Sequence, residues 1–361
     1  MTGTTLQVAR DDIRATCIIT VDDVALTPGQ VRVSIDRFAL TANNVTYAVA
    51  GDTIGYWNFY PGDGRWGQVP CWGLGNIVES AHPDLPVGER LYGFFPMASD
   101  VVLTLDRVRP DQATETSSHR RDLPATYNHY SRTASEPPEL SEIDNERCIF
   151  FPLFATSYLL YDFLVDNNAF GATTVVVGSA SSKTAFGMAK LLKDDPALTV
   201  RMVGITSPGN AAFTESLDAY DDVITYGKEA ELNAAESVAY VDMSGDARLT
   251  SALHHHYGDS LRLSLAVGAT HWEAFGTNPQ DLPGPAPEFF FAPAQIQKRD
   301  AEWGRGEVMR RATDAMLSLV AGVAGGVRIR HVSDTAILQD TWSALVDNKL
   351  SASEAIIASI G

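Results

Sequence analysis

Short apolar segments alternate with helical segments through the second half of the chain. The apolar segments are TTVVVG at 173–178, TVRMVGI at 199–205, DDVITY at 221–226, SVAYVDM at 237–243 and LRLSLAVGAT at 261–270. Helical patterns separate them at about Lys183–Lys193, Ala211–Leu217 and Arg248–Tyr257. Strands that are apolar along their whole length are typical of a sheet covered on both faces. The alternation predicts an α/β fold with an open, doubly wound parallel sheet.

The first part of the chain has a different pattern. From Gln30 to about Leu103, short apolar runs are cut by glycines and other turn residues, which predicts a β-rich domain. The polar stretch from about Arg107 to Glu146 is interpreted as a solvated excursion with little core of its own.

A length of 361 residues favours two domains. We expect a β-rich domain over 1–150 together with 326–361, and the parallel-sheet domain over 151–325. The sequence does not decide whether VRIRHV at 327–332 extends the parallel sheet or returns to the first domain.

Charge and composition narrow the possible partners. Forty-five acidic against 27 basic residues give a net charge of −18, which argues against binding to nucleic acid or to anionic lipid. No stretch of the sequence suggests a membrane span or a signal peptide. Cys17, Cys71 and Cys148 are too far apart in sequence to suggest a disulfide framework or a four-thiolate zinc site. We therefore expect a cytoplasmic protein that acts on a small molecule.

The turn GSASSKTAFG at 178–187 follows the first predicted parallel strand, where such sheets bind ligands. Its backbone N–H groups and the following helix N-terminus favour a phosphate. The residues expected to bind it are Gly178, Ser179, Ser181, Ser182, Lys183 and Thr184. The glycine fingerprint is incomplete, because Ser181 and Ser182 stand where glycine is expected. Two alternatives stay open: a mononucleotide loop using Lys183, Thr184 and a magnesium-binding Asp242, and a turn that only packs helix against sheet.

The end of the second predicted strand bears on which dinucleotide would bind. Residues 206–210 read TSPGN, without the carboxylate that would bind a ribose 2′-hydroxyl. Ser207, Asn210 and Tyr226 can donate hydrogen bonds to a 2′-phosphate, and Lys228 can add charge. The sequence therefore favours NADP(H) over NAD(H), and Gly268 is a further expected cofactor contact.

These features together resemble the medium-chain dehydrogenase/reductase superfamily, in particular its zinc-independent quinone and enoyl reductases. The resemblance rests on VRVSIDRFALTANNVTY, on PVGERLYG and on DDVITY, and it spans most of the chain. The sequence motifs are closer still to those of an uncharacterised family within or beside that superfamily. The motifs that mark this likeness are SASSKTA, VDMSGD, GATHWE and EFFFAPAQIQKR. The resemblance implies a GroES-like N-terminal domain and a Rossmann nucleotide-binding domain.

The chain departs from the zinc-dependent members of that superfamily. They need a catalytic cysteine and a glycine-histidine-glutamate run in the first domain, together with a lobe of four closely spaced cysteines, and the sequence has neither pattern. We therefore expect no metal site and a zinc-independent reaction.

Candidate catalytic groups lie in the loop that carries the resemblance. Asn43 or Asn44 is expected to hold a substrate carbonyl oxygen, and Tyr47 or Tyr56 to deliver a proton. The resemblance to enoyl reductases favours Tyr56. The neighbouring aromatic residues form either a pocket wall for a flat substrate or the packing of a small β domain; they are Tyr56, Trp57, Phe59, Tyr60, Trp66 and Trp72.

His271 is the other candidate acid or base, because GATHWE follows a predicted central strand, and Glu273 is expected to tune it. His254, His255 and His256 are interpreted as structural, since consecutive helix residues point about 100° apart. The run FFF at 289–291 needs burial, and the resemblance places this region near a subunit interface, which predicts a homodimer.

Three functions remain open from the sequence. The favoured one is an NADP(H)-dependent, zinc-independent oxidoreductase acting on an α,β-unsaturated or quinone-like carbonyl, with Asn44 orienting the carbonyl and Tyr56 or His271 supplying the proton. The second is a lyase, hydratase or carbon-carbon hydrolase on the same scaffold that has lost or repurposed the nicotinamide. The third is a binding or sensor protein without catalysis.

Overall fold

A computed structural model describes residues 2–267, 282–323 and 326–361. It divides the chain into two compact units. The first unit comprises Met1–Ile149, Ile329–Leu350 and Glu354–Gly361, and the second comprises Phe150–Arg328 and Ser351–Ser353. Each unit has its own sheets and its own buried apolar core.

The first unit is built on an antiparallel sheet that closes on itself. Its N-terminal strands are β1 (Gly3–Ala9), β2 (Thr16–Val21), β3 (Gln30–Leu40), β4 (Trp66–Gly67), β5 (Pro70–Ser80), β6 (Arg90–Pro96), β7 (Asp100–Asp106), β8 (Gln112–Glu115) and β9 (His129–Arg132). Strand β3 pairs with both β5 and β7, and the pairings run on through β6, β9 and β8. Side chains such as Phe38, Phe94 and Leu103 are buried in the core of this unit. Strand β1 pairs with β2 and β4 in a smaller sheet.

The helical elements up to residue 166 are short apart from the last, which begins in the first unit and lies mostly in the second. They are α1 (Ala42–Val49), α2 (Pro138–Glu142) and α3 (Asp144–Asp166), together with 3-10 turns that include Tyr56–Asn58 and Ala125–Asn128. By length and composition α3 could cross a membrane, contrary to the expectation from the sequence. However, 61% of its apolar window is buried, as in the core helix of a soluble protein.

The polar stretch from Arg107 to Glu146 is not the solvated excursion that the sequence predicted. It supplies β8 and β9 to the closed sheet and buries Tyr130 completely. Its polar composition is misleading because some of its charged residues are buried together: Arg120 and Glu115 lie 3.3 Å apart, and both are almost fully buried.

The second unit contains the predicted parallel sheet. Its strands are β10 (Thr174–Gly178), β11 (Arg201–Thr206), β12 (Asp222–Thr225), β13 (Val238–Asp242), β14 (Leu261–Ala266) and β15 (Glu288–Phe289). They run parallel in the order β12-β11-β10-β13-β14-β15, so that the order reverses between β10 and β13. Strands β10 and β13 are buried along their whole length, as their apolar sequences predict. This is a doubly wound sheet of the Rossmann type.

This unit has further helices, of which the first three lie where the sequence predicted them and the last two were not predicted. They are α4 (Lys183–Asp194), α5 (Ala211–Ser216), α6 (Ala247–Tyr257), α7 (Ala292–Trp303) and α8 (Glu307–Val323). Helix α6 shows why the pattern is readable: Leu249, Leu253 and Tyr257 recur every four residues, and all three pack into the core formed with Val176 and Val203.

The C-terminal segment returns to the first unit. It forms β16 (Arg328–Val332), α9 (Thr335–Val346) and β17 (Glu354–Ala358), and β17 pairs with β3. The indole N–H of Trp342 on α9 donates to the carbonyl of Ile13 at 2.7 Å. VRIRHV, which the sequence left undecided, therefore contributes β16 to the sheet of the first unit, where it pairs with β17.

Candidate functional site

Strand β10 leads directly into the turn where the sequence predicts cofactor phosphates. At Gly178 a Cβ would lie 3.0 Å from Oδ1 of Asp242 and 3.1 Å from the hydroxyl of Tyr240, so a larger residue would need these side chains to shift slightly. Ser179 has φ of 56°, in the left-handed region that favours glycine. Its hydroxyl and its backbone N–H both bind the hydroxyl of Tyr226. These bonds hold the serine in a backbone conformation that it would otherwise avoid.

The next residues of the turn, Ala180 and Ser181, form hydrogen bonds to the end of the neighbouring strand β11 and the turn after it. The hydroxyl of Ser181 accepts from Oγ1 of Thr206 at 3.1 Å and from Nδ2 of Asn210 at 3.3 Å. The backbone N–H of Ala180 donates to the carbonyl of Ile205 at 2.9 Å. The serine that replaces glycine therefore joins the ends of β10 and β11.

The turn ends at the N-terminus of α4. The hydroxyl of Ser182 caps the helix by accepting from the N–H of Ala185. Among the described residues, the N–H groups of Ser181 and Thr184 find no hydrogen-bond acceptor. Lys183 occupies the first helical position, and its Nζ lies 3.3 Å from the carbonyl of Ala352. Two available amides, a helix dipole and an ammonium group are what an anion needs at this place.

The residues predicted for the 2′-phosphate lie on two neighbouring turns. Ser207 is half-buried at the start of the turn after β11, and Lys228 is exposed in the turn after β12. The amide of Asn210 is directed to Ser181, and Tyr226 is bonded to Ser179. Burial raises the pKa of Tyr226 to about 12, so its hydroxyl keeps its proton at neutral pH.

The carboxylate of Asp242 accepts hydrogen bonds from the turn that follows it. Its Oδ1 accepts from the N–H of Ser244 at 2.7 Å, from the hydroxyl of the same residue and from the N–H of Gly245. Burial raises the pKa of this carboxyl. Within the described parts of the chain no group of three potential metal ligands occurs. A magnesium-binding role for Asp242 in a mononucleotide loop gains no support from these contacts.

Part of the predicted site falls outside the described residues. His271, Glu273 and Gly268 lie in the segment 268–281, and nothing structural is said of them. Of the three consecutive histidines, His254 is wholly buried, with Nδ1 2.8 Å from the carbonyl of Pro283 and Nε2 2.9 Å from the hydroxyl of Ser264. Burial lowers its pKa, as for a neutral structural histidine.

A cluster of aromatic rings in the first unit brings two of the predicted catalytic tyrosines together. Tyr47 on α1 and Tyr56 in the turn Tyr56–Asn58 have ring centroids 4.5 Å apart. Tyr127 packs against both rings, and its hydroxyl lies 3.1 Å from that of Tyr56. The rings around these three belong to Phe59, Trp72, Tyr92 and Phe94.

The hydroxyl of Tyr47 is held by two donors. Nδ2 of Asn43 lies 2.6 Å from it, and Nε1 of Trp72 lies 3.3 Å from it. The tyrosine oxygen therefore acts as the acceptor in both bonds, and its own proton is left to donate elsewhere. Burial raises the pKa of Tyr47, Tyr56 and Tyr127 alike, so all three phenols are protonated at neutral pH.

Both the nitrogen and the oxygen of the Asn44 amide form hydrogen bonds within the first unit. Its Nδ2 donates to the carbonyl of Pro70 at 2.9 Å and to Sγ of Cys71 at 3.3 Å, and its Oδ1 accepts from the N–H of Thr41 at 2.8 Å. The side chain is almost fully buried. These bonds start α1 at a fixed position and so orient Tyr47 one turn later.

Tyr127 is the member of the cluster that the sequence analysis missed, because it lies in the stretch interpreted as solvated. The available signal was the pair of tyrosines in YNHY, at 127 and 130, within otherwise polar surroundings. In the structure Tyr130 is fully buried and Tyr127 is half-buried.

Solved structures with a similar fold cover almost the whole chain. The yhdH oxidoreductase of Salmonella enterica, in complex with NADP, is 14% identical with a TM-score of 0.56 and covers 99% of this chain and 100% of its own. CurA of Vibrio vulnificus, in complex with NADPH, is 12% identical with a TM-score of 0.62 and covers 99% of each chain. A candidate NADPH:quinone reductase of Mesorhizobium loti is 14% identical with a TM-score of 0.61 and covers 99% of this chain and 98% of its own.

Such low identity shows a shared fold, in which a β-rich GroES-like domain accompanies a Rossmann domain. The fold class predicted from the sequence is therefore confirmed. No curated protein matches the chain. A sequence profile for proteins of unknown function, DUF2855, matches residues 38–351, which is most of the chain. Because this match spans most of the chain, the chain belongs to the DUF2855 family.

Proposed function

We propose that this protein is an NADP(H)-dependent, zinc-independent reductase of an α,β-unsaturated or quinone-like carbonyl compound. The observation that carries the proposal is the turn after β10, where the N–H groups of Ser181 and Thr184 are available beside Lys183. Structural neighbours solved with NADP or NADPH support the same cofactor for this chain. The zinc-independent route follows from the missing cysteine and glycine-histidine-glutamate patterns.

In this proposal the second unit holds the dinucleotide. Gly178, Ser179, Ser181 and Ser182 shape the turn, while Lys183 and Thr184 contact the pyrophosphate. The 2′-phosphate is recognised by Ser207, Asn210, Tyr226 and Lys228. Gly268 remains a proposed contact outside the described residues. When bound, NADPH supplies the hydride.

The first unit supplies the hydrogen bonds and the proton. Tyr47, whose oxygen accepts from Asn43 and Trp72, donates its proton in a hydrogen bond to the substrate carbonyl oxygen. Tyr56 gives a proton to the carbon next to that carbonyl. In this scheme Asn44 acts indirectly, by fixing the helix that carries Tyr47, and not through the direct hydrogen bond to the carbonyl that the sequence suggested. His271 remains the alternative proton donor.

The cofactor part of the proposal is tested by binding. NADPH and NADH are titrated separately while tryptophan fluorescence and the melting temperature are followed. NADPH is expected to bind more tightly than NADH. Lys183→Ala is expected to weaken NADPH binding by about tenfold or more, because a hydrogen bond to a charged group is lost. Lys193→Ala, at the other end of α4, is the matched control and leaves the affinity unchanged.

The outcomes separate the possible functions. No response to either dinucleotide at saturating concentration removes the reductase assignment. Turnover of a β-hydroxy or β-keto compound without nicotinamide oxidation would instead support the non-redox alternative on this scaffold.

We further propose a cytoplasmic homodimer. The three cysteines are free thiols, as a reducing compartment favours. Phe289 and Phe291 are 64% and 60% exposed in the single chain; Phe289 is the last residue of the edge strand β15, and Phe291 lies two residues beyond it. Exposed apolar side chains beside an edge strand are typical of a surface that pairs with another chain.

A further inference from the structure

We propose that Tyr127 is a positioning residue for Tyr56, and that it returns the proton that Tyr56 gives to the substrate. This inference rests on the proposed function, because it assigns a role within the same reaction. Its structural basis is the pair of phenol oxygens of Tyr56 and Tyr127, which lie 3.1 Å apart.

Packing holds the two hydroxyls together. The ring of Tyr127 lies 5.6 Å from that of Tyr56, 5.5 Å from that of Phe59 and 4.6 Å from that of Phe94, as measured between centroids. Aromatic rings in contact at such distances and tilts attract each other and fix each other's orientation. These contacts hold the ring of Tyr127 beside that of Tyr56.

The two tyrosines differ in their exposure to solvent. Tyr56 is 8% exposed, whereas Tyr127 is half-buried in a turn whose neighbouring residues, Ala125 and Thr126, are exposed. Because Tyr56 is almost buried, a neighbouring hydroxyl that is more open to solvent can return a proton to it. Tyr127 is the neighbour that is both bonded to Tyr56 and partly open to water.

Tyr47 is less suited to this task. Its oxygen accepts bonds from Asn43 and Trp72, and its centroid distance of 4.5 Å to Tyr56 reflects ring packing. In the proposed reaction its proton is used on the carbonyl oxygen. The two neighbours of Tyr56 therefore have separate roles.

The proton balance of the step is as follows. Hydride addition to the β-carbon of the enone leaves an enolate, and the α-carbon of the enolate takes the proton of the Tyr56 hydroxyl. This leaves a saturated ketone and a Tyr56 phenolate. Tyr127 then donates its hydrogen bond to the phenolate oxygen, passes its proton across, and takes a replacement from water. One hydride and one proton are consumed for each carbon-carbon double bond reduced.

The direction of the hydrogen bond between the two tyrosines becomes fixed during this step. Either hydroxyl can donate while both are protonated, but only Tyr127 can donate once Tyr56 is a phenolate. Bonds to a charged oxygen are roughly twice as strong as neutral ones. Tyr127 thus stabilises the state in which Tyr56 has lost its proton more than the resting state.

The test uses Tyr127→Phe, which removes one oxygen and keeps the ring. NADPH-dependent reduction is measured with 3-buten-2-one, cyclohex-2-enone and trans-2-octenal as probes. We expect kcat to fall by about tenfold to a hundredfold, the loss of one hydrogen bond to a charged group, with KM nearly unchanged. The solvent deuterium isotope effect on kcat is expected to rise, because proton delivery becomes slower. Tyr130→Phe, three residues away and outside the pair, is the control and leaves the isotope effect unchanged.

A second measurement does not depend on turnover. In protein labelled with ¹³C at the tyrosine ζ-carbon, the Tyr56 signal, assigned with Tyr56→Phe, is expected to shift in Tyr127→Phe and not in Tyr130→Phe. An unshifted Tyr56 signal overturns the inference, as does a Tyr127→Phe variant with the wild-type kcat and isotope effect, and either result leaves the proposed function intact. Absence of NADPH-dependent reduction of every probe by the wild-type protein overturns the proposed function, and this inference with it.

Discussion

Serine residues in the turn after β10 do structural work that glycines do in the usual dinucleotide fingerprint. Glycine permits a left-handed backbone and a close approach, and it leaves the amides free. Here Ser179 is held by Tyr226, and Ser181 is bonded to Thr206 and Asn210. The side chains are tied back into the protein, while the N–H groups of Ser181 and Thr184 have no acceptor among the described residues. A serine-rich turn can thus present amides to an anion.

Asn44→Ala is expected to destabilise the protein by about 2 to 3 kcal/mol. The substitution removes a buried amide whose nitrogen and oxygen both form hydrogen bonds, and with it the bond that fixes the N-terminus of α1. Asn43→Ala removes a half-buried amide with one bond and is expected to cost about 1 kcal/mol or less. Urea unfolding of both variants measures the difference. Equal losses would mean that the bonds of Asn44 to Pro70 and Cys71 contribute little to stability.

Ser207→Glu places a carboxylate where the sequence lacks one, at the end of β11. We expect the preference for NADPH over NADH to fall by about tenfold or more, because two like charges placed side by side repel. The measurement is the ratio of the two dissociation constants. Ser216→Glu adds the same charge to an exposed position on the following helix and should leave the ratio unchanged. An equal effect of both substitutions would point to net charge and not to a 2′-phosphate contact.

At the scale of single elements, helix α8 contains a charge cluster that makes stability depend on pH. Glu307 in its first turn binds Arg310 at 2.8 Å and Arg311 at 2.9 Å, and these bonds lower its pKa from 4.5 to about 2. A lowered carboxyl pKa stabilises the fold above the unfolded value, and the contribution is lost as the pH falls from 4.5 towards 2.

Glu307→Gln is therefore expected to lower the melting temperature at neutral pH, with a difference that shrinks below about pH 4. The pair is exposed, so about 1 M salt, where the Debye length is about 3 Å, should also reduce the difference. Thermal unfolding of both proteins across this pH range measures it. A difference that does not change with pH or salt would mean that the substitution acts through packing and not through charge.

The sequence was most informative where periodicity and burial coincide. Strands β10 and β13 are apolar along their whole length, and the spacing of Leu249, Leu253 and Tyr257 marks the inner face of α6. It was least informative where polar residues are buried together, as with Arg120 and Glu115, because composition does not show that two charges pair. Tyr127 was missed because it lies in the same polar stretch, whose composition suggested a solvated segment.

The site could be predicted only in part, because the sequence does not show which tertiary contacts its side chains make. Tyr47 and Tyr56 are close in sequence, and the structure brings them into ring contact. Which groups a side chain bonds depends on tertiary contacts, however. The amide of Asn44 is committed to Pro70 and Cys71, residues 26 and 27 positions away, and nothing in the local sequence shows this.

At the scale of the whole molecule, the net charge disfavours self-association, whereas the exposed apolar surface favours it. A charge of −18 on each chain repels a second copy, whereas Phe289 and Phe291 would be covered by one. Phe290 between them is buried and lies 5.7 Å from Phe163, so alternate side chains of the segment point inward and outward. Strand β15 pairs with β14 on one side and ends the sheet on the other within the described residues. These features make this edge the proposed dimer surface.

The double substitution Phe289→Glu and Phe291→Glu is expected to convert a dimer into a monomer, because it replaces apolar contacts with like charges on both copies. Sedimentation or light scattering should give twice 39.0 kDa for the wild-type protein and 39.0 kDa for the variant. Val87→Glu is the matched control, since Val87 is 62% exposed in the first unit, and it should remain a dimer. Added salt should tighten the wild-type dimer by screening the repulsion between the chains. A wild-type monomer, or a double variant that still dimerises, would contradict the proposed surface.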